Sequence, residues 1–307
     1  MPFHKYRKHT KVFSSLLIIF SFLILFSCNG GGSEEKERSK VIGEIYKPDT
    51  LSLLIKYESS LFPLPSPYQA SHLVKKHDIP FFDKIPNNPD NASRYSTTFK
   101  KALNLGVYGT DLSYLNIYNR TPSSISYLKA VKRLAEEINL TPAFNSNFFA
   151  NVEKNIDTHD SLMVLLGKTY RKADSYLREN NRTEIGALII TGGWVESLYI
   201  LTQIGSSTSN RDIINRIGEQ KHPLDNLIEI LSPMYYQAPE YSELIDKLID
   251  LAYEFDGIIY SYSYNEPKVD VENKTIYINS KSRVTISEYH LDIIKKKVEE
   301  IRNIIVE

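Results

Sequence analysis

The chain has 307 residues, with 37 basic and 37 acidic side chains, no formal net charge and a single cysteine. Without residues 1–27 the chain is weakly acidic and has no basic run, so it is a poor candidate for binding nucleic acid. One cysteine excludes an intramolecular disulfide and a zinc–thiolate site. The length permits one large domain or two small ones.

Residues 1–27 have the organisation of a secretory signal peptide. The apolar run 12–26 follows four basic residues and no acidic one: Lys5, Arg7, Lys8 and Lys11. At about fifteen residues this run is shorter than the roughly 20 residues of a spanning helix, so a retained membrane helix is the weaker alternative. We predict that the segment is cleaved, which leaves 33 basic and 37 acidic residues in the mature chain.

The motif Leu25-Phe26-Ser27-Cys28 resembles the lipobox of bacterial lipoproteins. The resemblance implies that Cys28 becomes the first mature residue and carries diacylglycerol and an N-acyl chain such as palmitate. Several acyl chains would anchor the protein stably in a membrane. The alternative is that Cys28 is an ordinary residue at the end of a cleaved signal.

Residues 28–48 begin with glycines and charged residues and contain no apolar residue before Val41. This composition cannot bury surface and predicts a flexible tether. Its Glu34-Glu35 pair resembles the export signal that sends lipoproteins of Bacteroidota to the outer membrane. The resemblance implies a lipid-anchored location there, on the surface-exposed or the periplasmic face.

Residues 49–90 are rich in proline, which predicts an extended, irregular wrap with at most one helical piece near residues 68–77. A helical domain should follow over residues 91–307, because polar caps alternate there with apolar residues at three- and four-residue spacing. The predicted helices begin at 91 or 93, 123, 146, 157 or 158, 181 to 183, 209 and 239. They end at 118, 139, 154, 180, 204, 231 and 255.

The C-terminal part should contain a β-hairpin near residues 257–280, made of strands 258–264 and 274–278. A turn at residues 272–274 would join them, and Thr285 would cap a last amphipathic helix. The predicted fold class is therefore mainly α: an irregular helical bundle with two central apolar helices and a small C-terminal β-hairpin.

The two central helices are recognised by having almost no polar face, over residues 102–115 and 185–201. The second could pass for a membrane span, but its paired glycines and Glu196 favour a core helix. Glycine inside a helix costs about 1 kcal/mol relative to alanine, so Gly192 and Gly193 need a compensating contact. We expect a close backbone approach to Gly106 and Gly109 on the first helix.

The strings from Phe99 to Leu112 and from Thr191 to Glu196, behind a lipobox, resemble a family of helical lipoproteins from Bacteroidota. The resemblance covers the chain from about Pro63 onward. It implies a helical fold and an envelope location, and it brings no assigned function and no catalytic residues.

Two carboxyl groups on the central helices suggest a candidate ligand pocket. An acid on a helix in the core should face a cleft, be hydrogen-bonded or have a shifted pKa. The residues of this pocket are Asp111, Tyr108, Tyr114, Glu196 and Tyr199. Such a pocket could bind a polar ligand or a cation. The alternatives are that both acids only fix the packing, or that they form a catalytic pair.

The sequence has no Gly-x-Ser-x-Gly motif, phosphate-binding glycine loop or zinc signature, and its histidines are scattered. We therefore predict no catalytic residue, metal or cofactor. The favoured function is a non-enzymatic envelope lipoprotein that binds an unknown protein or small molecule. One alternative is a carboxylate-dependent hydrolase acting on glycans, which requires an open groove between the two acids. The other is a structural envelope scaffold.

Overall fold

The computed structural model describes residues 53–57, 60–64, 73–74, 76–144, 147–156 and 158–307. The predicted signal peptide, the lipidation site Cys28 and the tether lie outside the described residues. Contacts separate the segment Pro267–Tyr277 from the helical unit that contains the other described residues. The fold is mainly α, as predicted.

The first central helix, α1, spans Thr98–Ile117. Thr97 caps it, because its side chain accepts a hydrogen bond from the Lys100 backbone N–H over 3.1 Å. The predicted start at Asn91 or Ser93 is wrong, since Pro89–Ser93 forms a separate 3₁₀ turn. This turn directly follows Ile85, Asn87 and Asn88, which belong to the site described below.

The remaining predicted helices up to α5 are present within a few residues of their expected ends. They are α2 (Thr121–Glu137), α3 (Phe148–Lys154), α4 (His159–Glu179) and α5 (Thr183–Thr208). A 3₁₀ turn at Thr141–Ala143 lies between α2 and α3. The predicted end of α5 was four residues too early. The helix continues to Thr208 and stops at Ser209, which adopts a positive φ of 50°.

The predicted helix over 209–231 is two helices, α6 (Arg211–Gly218) and α7 (Lys221–Leu231). The reason is Pro223, which cannot donate a hydrogen bond to the carbonyl of residue 219 and therefore needs a place in a first helical turn. A 3₁₀ turn at Ser232–Met234 follows, and α8 spans Pro239–Asp256 as predicted.

Glycines bring α1 and α5 into backbone contact at Gly106 and Gly192, as expected, but the expected contact at Gly109 is wrong, because Gly109 faces the Tyr170 side chain of α4. A Cβ on Gly192 would lie 1.9 Å from the Leu103 carbonyl oxygen, and one on Gly106 would lie 2.0 Å from the Ile189 carbonyl oxygen. Among the described helices, α5 alone is long and apolar enough to cross a membrane, but 72% of that apolar window is buried. Its packing is that of a core helix.

The last helix, α9, spans Glu288–Val306 and is capped by Ser287, whose hydroxyl accepts from the His290 N–H over 3.2 Å. The predicted cap, Thr285, instead belongs to a strand. The C-terminal end of α9 docks on α1, where Asn104 donates to the Ile305 carbonyl over 2.7 Å. This docking positions the buried residues of α9 against both central helices.

The strands within the described residues form three antiparallel pairs. β1 (Leu53–Tyr57) pairs with β2 (Ser60–Leu64), so a hairpin stands where an irregular wrap was predicted. β3 (Ile259–Ser263) pairs with β6 (Lys281–Thr285). Considered by itself, the segment Pro267–Tyr277 contains the hairpin of β4 (Lys268–Asp270) and β5 (Thr275–Tyr277). The turn at 272–274 is confirmed, but β3 has a different partner from the predicted one.

Candidate functional site: a buried carboxyl pair and an apolar cavity

The two carboxyl groups predicted to lie centrally do so, and they lie together. Asp111 on α1 and Glu196 on α5 are each 0% exposed, and the charge of Glu196 raises the pKa of Asp111. Two neighbouring buried carboxyl groups do not both ionise, because like charges repel strongly in a low-dielectric site. The arrangement is therefore one acid and one carboxylate.

Arg302 of α9 identifies Glu196 as the carboxylate. Its Nε donates to Glu196 Oε2 over 2.7 Å and its second terminal nitrogen donates to Oε1 over 3.0 Å. The same nitrogen donates to the Ile85 carbonyl over 3.1 Å, and the guanidinium lies 4.2 Å from the centre of the Tyr199 ring. Bidentate pairing of this kind compensates a buried negative charge.

Asp111 is the protonated partner. Burial raises the pKa of Asp111 well above its usual range, and the charge of Glu196 raises it further, while Arg302 opposes both. Asp111 Oδ2 accepts from the Asn87 backbone N–H over 3.0 Å, whereas Oδ1 has no donor among the described residues. A proton on Oδ1 makes this otherwise unpaired atom a hydrogen-bond donor, for which the neighbouring Glu196 carboxylate is an acceptor.

Tyr108 is linked to the pair by hydrogen bonds through Asn87. The amide nitrogen of Asn87 donates to the hydroxyls of Tyr108 over 3.1 Å and of Tyr95 over 3.0 Å. Tyr108 in turn donates to the Asn88 carbonyl over 2.9 Å. Burial raises the pKa of Tyr108, so its hydroxyl is neutral and acts as a structural donor.

Tyr114 lies apart from the pair. Its hydroxyl accepts from the Phe82 backbone N–H over 3.1 Å, and its ring stacks on Phe81 at a centroid distance of 5.4 Å. Asp111, Glu196, Tyr108 and Tyr199 are thus brought into one network, and Tyr114 is not part of it. The full burial of both carboxyl groups leaves no open groove of the kind that the glycan hydrolase alternative requires.

Arg302 and Asn87 were not identified from the sequence. Arg302 could have been recognised from the sequence, because it continues the buried stripe of α9 that contains Val298, Ile301 and Ile305. An arginine on an apolar stripe needs a buried acid. No sequence pattern identifies Asn87, since its role depends on how the segment before α1 folds back over that helix.

An apolar cavity lies elsewhere in the helical unit. Its volume is about 60 Å³, it is partly open, and its walls come from α1 to α5 and the α2–α3 connection. The described residues that line it are Leu105, Gly109, Leu112, Leu128, Val131, Ala135, Leu140, Phe144, Phe148, Phe149, Val152, Thr169, Tyr170, Ala173 and Ile189. No residue of the carboxyl pair reaches it.

Comparison of the chain with protein-family models, with curated proteins and with solved structures found no match. Within the described residues, no three His, Cys, Asp or Glu side chains are grouped as a metal site would require. The site must therefore be interpreted from its own geometry.

Proposed function

We propose that this protein is a lipid-anchored lipoprotein of the cell envelope, held at the outer membrane through Cys28, whose helical domain is a non-enzymatic binding module. Its ligand site is the apolar cavity lined by the five helices α1 to α5. It is a member of the helical lipoprotein family of Bacteroidota that its sequence resembles. The carboxyl network holds α1, α5 and α9 together and does not contact the ligand.

One observation supports the binding role: the helical unit keeps a partly open apolar cavity of about 60 Å³. Protein interiors are normally packed without voids larger than a water molecule, and an unfilled cavity lowers stability by the lost contacts. Selection for stability alone would fill such a space with a larger side chain. A bound group accounts for its retention.

The envelope scaffold is the second candidate, because β3 exposes large side chains. Ile259 is 65% exposed and Tyr262 68% exposed. Exposed side chains of this kind on a two-stranded sheet suit contact with another protein. The two candidate functions can be tested by separate substitutions, since the cavity and β3 share no residue.

Xenon binding tests the cavity as a ligand site, because xenon enters apolar cavities and forms no hydrogen bond. The chain from residue 28 onward, carrying Cys28→Ser to avoid detergent, should be titrated with xenon and followed by methyl NMR. The methyl signals of Leu105, Leu112 and Leu128 should shift. Those of Leu244 and Leu248 on α8 should not.

The variant Ala173→Leu should abolish these shifts by filling the cavity that Ala173 lines. Ala252→Leu is the matched control, since Ala252 is a half-buried alanine on α8 away from the cavity. Absence of methyl shifts in the wild type, or equal shifts in Ala173→Leu, would exclude the cavity as the binding site.

A further inference from the structure

Tyr170 places one hydrogen-bonding group in the wall of the apolar cavity. Its hydroxyl makes no hydrogen bond in the part of the chain that the structure describes. Burial alone raises the pKa of Tyr170 to about 12, and the residue keeps some exposed surface. Both properties fit a ring that faces the cavity rather than bulk water.

Gly109 lets this hydroxyl approach α1. A Cβ at position 109 would lie 2.5 Å from Tyr170 Oη, so any larger residue would displace the phenol. The nearby Gly109 carbonyl already accepts from Ser113 Oγ over 3.0 Å. The hydroxyl of Tyr170 is thus close to the helix backbone but is left without a partner there.

A water molecule is a poor occupant. An ordered buried water normally makes about three hydrogen bonds, and the described lining offers it little beyond Tyr170. The other hydroxyl in the lining, that of Thr169, is engaged with the Leu165 carbonyl over 2.7 Å. An apolar group with one polar atom suits this wall better.

The volume of the cavity and the uncharged side chains of its described lining restrict the chemical class of the ligand further. The cavity, at about 60 Å³, is larger than the ~15 Å³ that one water needs and smaller than the ~150 Å³ cavity that admits benzene. It therefore has room for a group larger than water and smaller than benzene. No charged side chain belongs to the described lining, so an ionised group would be buried without compensation.

We infer that the cavity binds a small, neutral aliphatic group bearing one oxygen acceptor, such as a ketone or ester carbonyl, and that Tyr170 donates a hydrogen bond to this oxygen. The group is a whole small molecule or the end of a longer one. This inference rests on the proposed binding role and adds the chemical class of the ligand.

Acetone and isobutene are suitable probes, because they have the same shape and differ in having an oxygen or a CH₂ group. Both should be titrated into the chain from residue 28 onward, carrying Cys28→Ser, and followed through the methyl signals of Leu105 and Leu112. In Tyr170→Phe the affinity for acetone should fall roughly twofold to tenfold, the range of one net hydrogen bond. The affinity for isobutene should be unchanged or slightly higher.

Gly109→Ala provides a second variant that keeps the phenol but moves its hydroxyl. This substitution should lower the affinity for acetone more than the affinity for isobutene. If Tyr170→Phe changes the affinities for acetone and isobutene equally, the hydrogen bond and the ligand class are refuted while the binding role stands. If neither probe nor xenon binds the wild type, the proposed binding role itself fails.

Discussion

Asp111, Glu196 and Arg302 are three ionisable groups that the fold buries, and the balance of their charges affects the stability of the core. With a proton on Asp111 the group contains one negative and one positive charge and is neutral overall. Ionisation of Asp111 would leave an extra negative charge beside Glu196 in a low-dielectric site, where like charges repel strongly. The folded protein therefore holds a proton that the unfolded chain releases.

Asp111→Asn should be stabilising at neutral pH. The folded-state pKa of Asp111 is raised above its ordinary value of 3.8, so wild-type stability falls as the pH rises above about 4. Asparagine keeps a donor for Glu196 and an acceptor for the Asn87 N–H without ever ionising. Urea unfolding at pH 4, 5.5 and 7 should show an advantage of the variant that grows by up to about 1.4 kcal/mol per pH unit.

Glu196→Gln is the control, because it removes the charge that compensates Arg302. It should destabilise the protein by about 3–5 kcal/mol at pH 7, as expected when one partner of a buried ion pair is lost. An Asp111→Asn variant whose stability follows the same pH profile as the wild type would show that Asp111 is ionised in the folded state.

At the scale of the elements, the close contact between α1 and α5 depends on glycine. Leu103 and Ile189 present carbonyl oxygens to the faces of Gly192 and Gly106. The approach of the two backbones aligns the helices closely enough for Asp111 and Glu196 to meet. The carboxyl pair and the glycine contact are thus two parts of one interface.

Gly192→Ala should therefore be strongly destabilising, although alanine is the better helix former. Its Cβ would lie 1.9 Å from a backbone atom, Leu103 O, which cannot rotate away. Overpacking of this kind costs about 1–3 kcal/mol or more. Thermal unfolding should show the loss as a lowered Tm.

The matched control is Gly186→Ala on the same helix, where the new Cβ would lie 3.6 Å from Leu177 Cδ1 in ordinary contact. This variant should raise stability by about 0.5–1 kcal/mol through helix propensity. Equal effects of the two substitutions would mean that the helices do not approach as closely as the structure has them.

At the scale of the whole molecule, the organisation proposed is a lipid anchor at Cys28, a tether and a helical unit. The proposed mature chain, with 33 basic and 37 acidic residues, has little attraction to an anionic membrane, so this proposal assigns the attachment to the acyl chains. Binding by the helical unit would then occur within reach of the tether.

Labelling of cells with radioactive palmitate should mark the wild type and leave Cys28→Ala unlabelled and released from the membrane fraction. Ser27→Ala is the control, since it keeps the cysteine and a small residue before it. Equal labelling of wild type and Cys28→Ala would rule out lipidation at this position.

The sequence by itself determined the mainly helical fold, most helix ends and the central place of α1 and α5, because these follow from local periodicity, caps and apolar composition. Glycine spacing likewise indicated the close contact of Gly106 and Gly192. The cap of α1 at Thr97 and the break before Pro223 were missed, since neighbouring residues offered competing local signals. The partner of β3 was missed because strand pairing is a long-range choice.

Only the tertiary structure decided what the buried acids do. Glu196 and Arg302 are 106 residues apart, and Asn87 reaches Asp111 from a segment without a helical pattern. No periodicity links such residues, because their contact exists only after α9 docks on α1. The cavity beside Tyr170 is likewise invisible in sequence, since an unfilled volume is a property of how five helices fit together.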